Sequence, residues 1–515
     1  MAEASTRHHG WLESLAAFRR PQVLTLLFLG FSAGLPILLI FSSLSVWLRE
    51  AGVERGVVTF FSWAALGYSF KFVWAPLVDR LPLPFLTRWL GRRRGWLLLS
   101  QLSIAAAIAA MALTDPAAGS GYLVVMAWAA VALGFSSASQ DIVIDAYRIE
   151  SAEMELQAML SASYIAGYRI GMLVAGALAL VLAAWWGSSV EAYDYQAWRW
   201  TYLAMAGCMS VGIITTLLMP EPEIRRDEPR HALKDYLGFV LLFLLAAATF
   251  AATFFFSSEL AAIAKERGAA LLGNKPLVSF VVETLRLGFA ILLAAMVARL
   301  LMGSSLVDKA MVRRAYLEPI QDFFNRYGWR TAWLLLALVG VYRISDIVLG
   351  VISNVFYLDM GFDKEEIAAV VKTFGLIMTI LGGFVGGLLS ARYGVLRILF
   401  LGALLSAATN LLFWLLALAG RDMTLLYLVI SADNLSAGLA SAAFVAFLSS
   451  LTSISFTAVQ YAVFSSLMTL LPKLLGGYSG SMVDGIGYPA FFIFTTLIGI
   501  PVLWLVHRAG RLLER

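Results

Sequence analysis

The sequence predicts an all-α membrane protein built as two six-helix halves with two inserted hydrophobic segments between them, 12 + 2 helices in all. Long apolar stretches follow one another from residue 23 to residue 506. About 20 apolar residues suffice for a helix to cross a hydrocarbon core roughly 30 Å thick. Hydrophobic residues make up 60% of the 515-residue chain and charged residues 14%, with mean hydropathy +0.81; a soluble chain carries about 25% charged residues. Finally, Lys and Arg gather in alternate loops, as they do where loops on one side stay in the cytoplasm.

The elements follow in order. Residues 1–22 place Trp11, Leu15 and Phe18 on one helical face beside Arg19 and Arg20, either as an interfacial helix or as cytoplasmic packing. The basic flank resembles that of a signal peptide, but 23–47 is 25 uncharged residues without a convincing cleavage site, so it is read as a retained span. Spans one to six are 23–47, 57–78, 95–113, 121–140, 158–186 and 200–219, forming a bundle over 23–219. The linker 220–330 holds the inserted segments. Segment 236–256 is free of charge, whereas 277–302 carries Glu283, Arg286 and Arg299. Leu317, Ile320, Phe323 and Phe324 form a second amphipathic face before spans seven to twelve, at 331–357, 367–389, 398–419, 425–448, 457–475 and 488–506. The second bundle covers 331–507 and the tail 508–515.

Basic residues cluster after span two (Arg80, Arg88, Arg92, Arg93, Arg94), after span six, before span seven and at the C-terminus. This places both termini in the cytoplasm. The net charge of +5 thus reflects topology, not nucleic-acid binding. Cys208 is the sole cysteine, which excludes a disulfide framework or a cysteine-built metal site. The histidines, His8, His9, His231 and His507, are scattered in termini and loops, and no phosphate-binding glycine loop is present. The expectation is a non-enzyme without cofactor or metal, monomeric in the lipid bilayer.

The loops after the second span of each half suggest an internal repeat. Asp79-Arg80 precedes Gly91-Arg92-Arg93-Arg94, while the second half has Arg392, Gly394 and Arg397 with Ala391 in place of an acid. This punctuation resembles the loop between helices two and three of the major facilitator superfamily, where it locks the cytoplasmic gate. The first copy departs by the insertion 81–90. The resemblance implies a central cavity between the halves near the midplane, and gate roles for Asp79, Arg80, Arg92, Arg93, Arg148 and Arg392.

Charges inside spans are costly unless paired or used. Asp141 and Asp145 lie four apart at the end of span four, on one helical face, with Arg148 within reach. They form either a proton-sensitive pair or a gate network. Arg169 lies roughly 17 Å into span five, where a lone Arg costs about 2.5–3.5 kcal/mol by insertion scales. It pairs either with Asp141 or another acid, or with a substrate carboxylate. Arg343 and Asp346, three apart in span seven, can neutralise each other, and Asp346 can otherwise take part in coupling. Asp433 in span ten has no charged neighbour within a turn, so it pairs across helices or titrates. Asn434 beside it can bond a sugar hydroxyl or a neighbouring helix. Lys71 either snorkels or faces substrate, and Lys372 sits near the outer end of span eight. Tyr68 and Tyr168 offer stacking faces for sugar rings. Gly167, Gly171 and Gly176 suit close helix contact.

Several stretches together resemble the AmpG-type muropeptide permeases. They are Gly30-Phe-Ser-Ala-Gly34-Leu-Pro36, Lys71-Phe-Val-Trp-Ala-Pro76-Leu-Val-Asp79-Arg80, Ser137-Ala138-Ser-Gln140-Asp141 through Tyr147, Gly167-Tyr168-Arg169-Ile-Gly171, Tyr342-Arg343-Ile-Ser-Asp346 and Val371-Lys372-Thr-Phe-Gly375. The resemblance implies a proton-driven importer of the bacterial inner membrane. Its cargo would be GlcNAc–1,6-anhydro-MurNAc carrying a short peptide, serving peptidoglycan recycling and β-lactamase induction. It also ties Gly34, Ala138 and Gln140 to transport, Gln140 as a substrate contact. The proton-coupling candidates are then Asp141, Asp145, Asp346 and Asp433, with Asp141 favoured. The rival reading is the same fold carrying another anionic solute, such as acetyl-CoA, a siderophore or a peptide.

Overall fold

The computed structural model describes residues 20–54, 61, 68, 70–189, 191–223, 232–273, 275–304, 306–363, 366–476 and 479–513. Among them every regular element is a helix. The amphipathic segment before span one, and half of span two, lie outside the described residues.

Twelve described helices are long and apolar enough to cross a membrane, and 454–470, in span eleven, is a shorter apolar one. Several spans are interrupted. Span one is Pro21–Ile40 and Ser42–Glu50, broken at Phe41. Span five runs Gln157–Leu173, a π-helical Val174–Leu178, then Ala179–Trp185. In span seven, helix Glu318–Val341 has a kink at Gly328, whose φ of 72° is ready for glycine. A second break follows at Tyr342–Arg343 before Ile344–Asp359. Span four is longer than its apolar pattern suggests: Ser120–Glu150 continues ten residues past Gln140. Asp141 and Asp145 therefore lie inside the helix, not at its end. The continuation is polar because it packs against protein; Ser137 through Ile149 are all buried.

The packing repeats with a shift of six spans. Span one packs on five as seven packs on eleven, three on four as nine on ten, and three on six as nine on twelve. The halves meet where span five touches eight and span two touches eleven, again related by that shift. This is the pseudo-two-fold arrangement of a duplicated bundle. Trp47 stacks on Trp198 and packs against Tyr202 in the first half's core, and Phe356, Phe413 and Phe492 pack in tilted and edge-on contacts in the second's.

Contacts divide the chain into two units, Met1–Ile224 with Phe323–Arg515, and Arg225–Asp322. In the latter, Leu233–Phe256 and Lys275–Gly303 pack on each other, and Ser258–Leu272 packs on Lys275–Gly303. The middle helix is absent from the sequence reading because its charges mask its helical pattern. It nevertheless accounts for polar residues in segment 277–302. Glu283 pairs with Lys265 at 2.5 Å and with Arg286 at 3.3 Å. Arg286 also donates to Ser257 Oγ at 2.9 Å and to the Phe254 carbonyl, and lies over the Phe254 ring. The apolar windows of the two long helices are only 11% and 6% buried, against 61% for span one.

Candidate transport site and gate

Spans one and five approach backbone to backbone. A Cβ on Gly34 would stand 2.0 Å from the Tyr168 carbonyl oxygen, and one on Gly167 would stand 1.9 Å from that of Leu27. Only glycine admits this spacing, so Gly34 acts here as a packing position that sets where span five presents Tyr164, Tyr168 and Arg169. Ala138 is fully buried. Gln140, expected as a substrate contact, lies within the helix packing, its Nε2 without a hydrogen-bond partner among the described residues. It is fully buried and its Oε1 accepts from Ser32 Oγ at 2.9 Å, because one residue before Asp141 is about 100° round the helix, facing span one.

The acids of span four face a different set of groups. Asp145 sits between two cations, with Lys71 Nζ at 3.4 Å and Arg148 Nη2 at 3.5 Å. Lys71 is buried and paired, not snorkelling to the interface. Asp141 lies within electrostatic reach of Tyr164, Lys71 and Asp145, while its Oδ1 is buried with no protein hydrogen-bond partner. The Tyr68 hydroxyl bonds Ser137 Oγ next to it. Two acids thus share one lysine and one arginine, and Asp141 holds the weaker pairing.

In the second half, Arg343 pairs with Asp346 at 3.2 Å and donates to Ser441 Oγ at 2.6 Å. Ser406 lies near Asp346. Asp433 accepts from Thr409 at 3.3 Å and has no direct cationic partner among the described residues. Asn434 is committed to helix packing: its Oδ1 accepts from Thr379 at 2.9 Å and its Nδ2 donates to the Ile430 carbonyl. Lys372 is exposed and donates to Asn354 at 2.8 Å. Arg169 departs from the expected pairing with an acid. Among the described residues it has no ion pair, and the full charge acting on it is that of Arg343. Tyr168 makes a ring contact with Tyr164 at 6.0 Å.

The residues expected at the gate converge at the face carrying the basic loops. Arg93, fully buried, donates to Asp79 at 2.8 Å, to both oxygens of Glu150 and to Thr457 Oγ1 at 3.0 Å. Thr457 in turn donates to Glu150. Arg92 donates to the Asp79 carbonyl, and Arg80 lies 5.7 Å from the Phe456 ring. Arg148 reaches Ser449 at 2.6 Å and stacks on Tyr461. Thr457, Ser449, Phe456 and Tyr461 belong to the second half, so these contacts lock the halves together. Glu221 caps the span-three helix by accepting from the Arg93 and Arg94 N–H groups, as an anion at a helix N-terminus should. Gly387, at the end of span eight, packs against Ala158 and Ala162 of span five. The second copy of the motif differs: the Arg392 guanidinium lies over the neighbouring Tyr393 ring. Glu150 and Thr457 escape the sequence reading, since nothing local marks them. The only signal is an acid two residues after Arg148.

The Major Facilitator Superfamily pattern matches residues 23–341. The chain is 30% identical over 501 residues to the anhydromuropeptide permease of Escherichia coli K12, covering 97% of this chain and 82% of that one. It is 29% identical over 489 residues to the protein named AmpG 4 of Rickettsia felis, covering 95% and 96%. Among solved structures, the transporter FucP in its outward conformation matches with a TM-score of 0.58 at 11% identity, covering 96% of this chain and 99% of that one. The proton:xylose symporter XylE matches with 0.57 at 12% identity, covering 96% and 94%. The chain therefore belongs to the major facilitator superfamily and, within it, to the AmpG-type permeases.

Proposed function

We propose that this protein imports anhydromuropeptides, GlcNAc–1,6-anhydro-MurNAc with or without its peptide, across the bacterial inner membrane together with protons. The observation that carries the reading is the 30% identity to the E. coli anhydromuropeptide permease over 97% of the chain. The arrangement of buried acids and cations supports it. Such cargo has hydroxyls, acetamides and carboxylates, which suit hydroxyl and guanidinium side chains. A proton is an adequate driver: one positive charge moving down about 150 mV supplies roughly 3.5 kcal/mol, a few-hundredfold accumulation. Asp141 is the favoured proton carrier, because it holds the weaker cationic partner of the span-four pair. With the basic loops and both termini in the cytoplasm, the closed gate at the basic face makes this an outward-facing state, ready to take cargo from the periplasm.

The test is uptake of defined anhydromuropeptides into proteoliposomes under an imposed pH gradient and membrane potential. Accumulation that collapses with the gradient is expected. Transport of acetyl-CoA, a siderophore or free peptide, with no competition by the anhydro-disaccharide, would overturn the reading.

A further inference from the structure

Arg169 and Arg343 reach one depth from opposite halves. Spans five and seven both start at the basic face. Arg169 stands 12 residues into its helix from Gln157, about 18 Å. Arg343 stands 14 residues after Trp329, about 21 Å along a helix that then breaks at Tyr342–Arg343. The break frees Arg343 from regular helix geometry at mid-membrane, the position where discontinuous helices form substrate sites. Both side chains keep partial exposure although they lie in the middle of the bundle; that of Arg343 is 24%.

The charges around them are not evenly balanced. Asp346 pairs with Arg343 and Asp433 lies within electrostatic reach of both, whereas the groups within reach of Arg169 are the neutral Tyr168 hydroxyl and the repelling Arg343. Among the described residues no acid faces Arg169. A guanidinium held at mid-depth without a counter-ion, within electrostatic reach of a second guanidinium from the other half, calls for an anion between them. Planar guanidiniums bind carboxylates through paired hydrogen bonds.

We propose that Arg169 and Arg343 form a two-sided clamp for a carboxylate of the cargo, the lactyl carboxylate of the free disaccharide or a carboxylate of its peptide arm. This rests on the cargo reading above and deepens it. In the empty carrier the two arginines repel across the interface. A bound carboxylate turns that repulsion into attraction and draws the halves together at mid-depth, so closure over the site depends on loaded cargo.

The experiment titrates purified full-length protein by calorimetry with GlcNAc–1,6-anhydro-MurNAc and with its lactyl carboxamide. Wild type should bind the acid about tenfold or more tighter than the amide, as expected for losing a charge-assisted pair. Arg169→Gln should bind the two forms alike. Arg169→Lys should retain part of the preference, having charge without the fork. Arg343→Gln should also lose the preference; if it elutes as aggregate, Arg343→Gln/Asp346→Asn, which removes both partners of the pair, replaces it. Equal affinity of wild type for the two forms, or an undiminished preference in both arginine variants, would overturn the clamp. A protein that binds neither form overturns the cargo reading itself, and with it the ligand named here.

Discussion

Replacing Thr457 with Val should loosen the closed gate without disturbing either half. Thr457 is fully buried at the start of span eleven, and its hydroxyl accepts from Arg93 and donates to Glu150. Valine has nearly the same shape, so packing is preserved while both hydrogen bonds to charged partners are removed. A hydrogen bond to a charged group contributes about 1.5–3 kcal/mol. Arg93 and Glu150 retain each other at 2.5 Å, and Arg93 retains Asp79, so the loss should fall near the low end, about 2 kcal/mol in total. That loss acts on the closed state alone, because Thr457 leaves its partners when the basic face opens. The equilibrium should then shift about thirtyfold toward opening. A single cysteine at Ala162, which packs on Gly387 across the closed interface, placed in a Cys208→Ser background, reports the shift. Its maleimide labelling rate should rise by about that factor in Thr457→Val. An unchanged rate, with the protein folded, would refute the reading of Thr457 as a lock between halves.

Gly167→Ala should destabilise the first bundle by about 1–3 kcal/mol through overpacking, since its Cβ would stand 1.9 Å from the Leu27 carbonyl; a thermal melt checks this, and an unshifted midpoint would show that the helices separate freely. Asp141→Asn should abolish accumulation driven by a pH gradient while sparing substrate binding, because Asn carries no proton; concentrative uptake by this variant would return Asp141 to a gate role. Arg286→Leu should leave Glu283 with Lys265 alone and free Ser257 and the Phe254 carbonyl; limited proteolysis should then cut within residues 233–303 faster than in wild type, and an identical cleavage pattern would argue against a structural role.

The membrane class and the duplicated halves could be read from the chain, because each has a one-dimensional signature: apolar length, and recurring loop charge and glycine spacing. The same holds for the Arg343–Asp346 pair, whose members lie three apart on one element. Glu150 and Thr457 could not be read, being 307 residues apart and joined only where spans four and eleven meet. Gln140 and Asn434 look like substrate contacts in sequence, yet each is used between helices. A polar side chain in an apolar run shows only that it needs a partner, and which partner depends on helical phase.

By itself the sequence determined that helices cross a bilayer and which loops carry positive charge, since hydrocarbon leaves a backbone few alternatives to the helix. It also marked the intramembrane charges as the costly residues. Only the tertiary structure decided how those charges divide: Asp145 between Lys71 and Arg148, Arg93 between Asp79 and Glu150, and Arg169 with no acid among the described residues. The physical reason is that an ion pair depends on a few ångströms between side chains, and those distances are set by close packing of helices remote in sequence, such as the glycine contact of spans one and five.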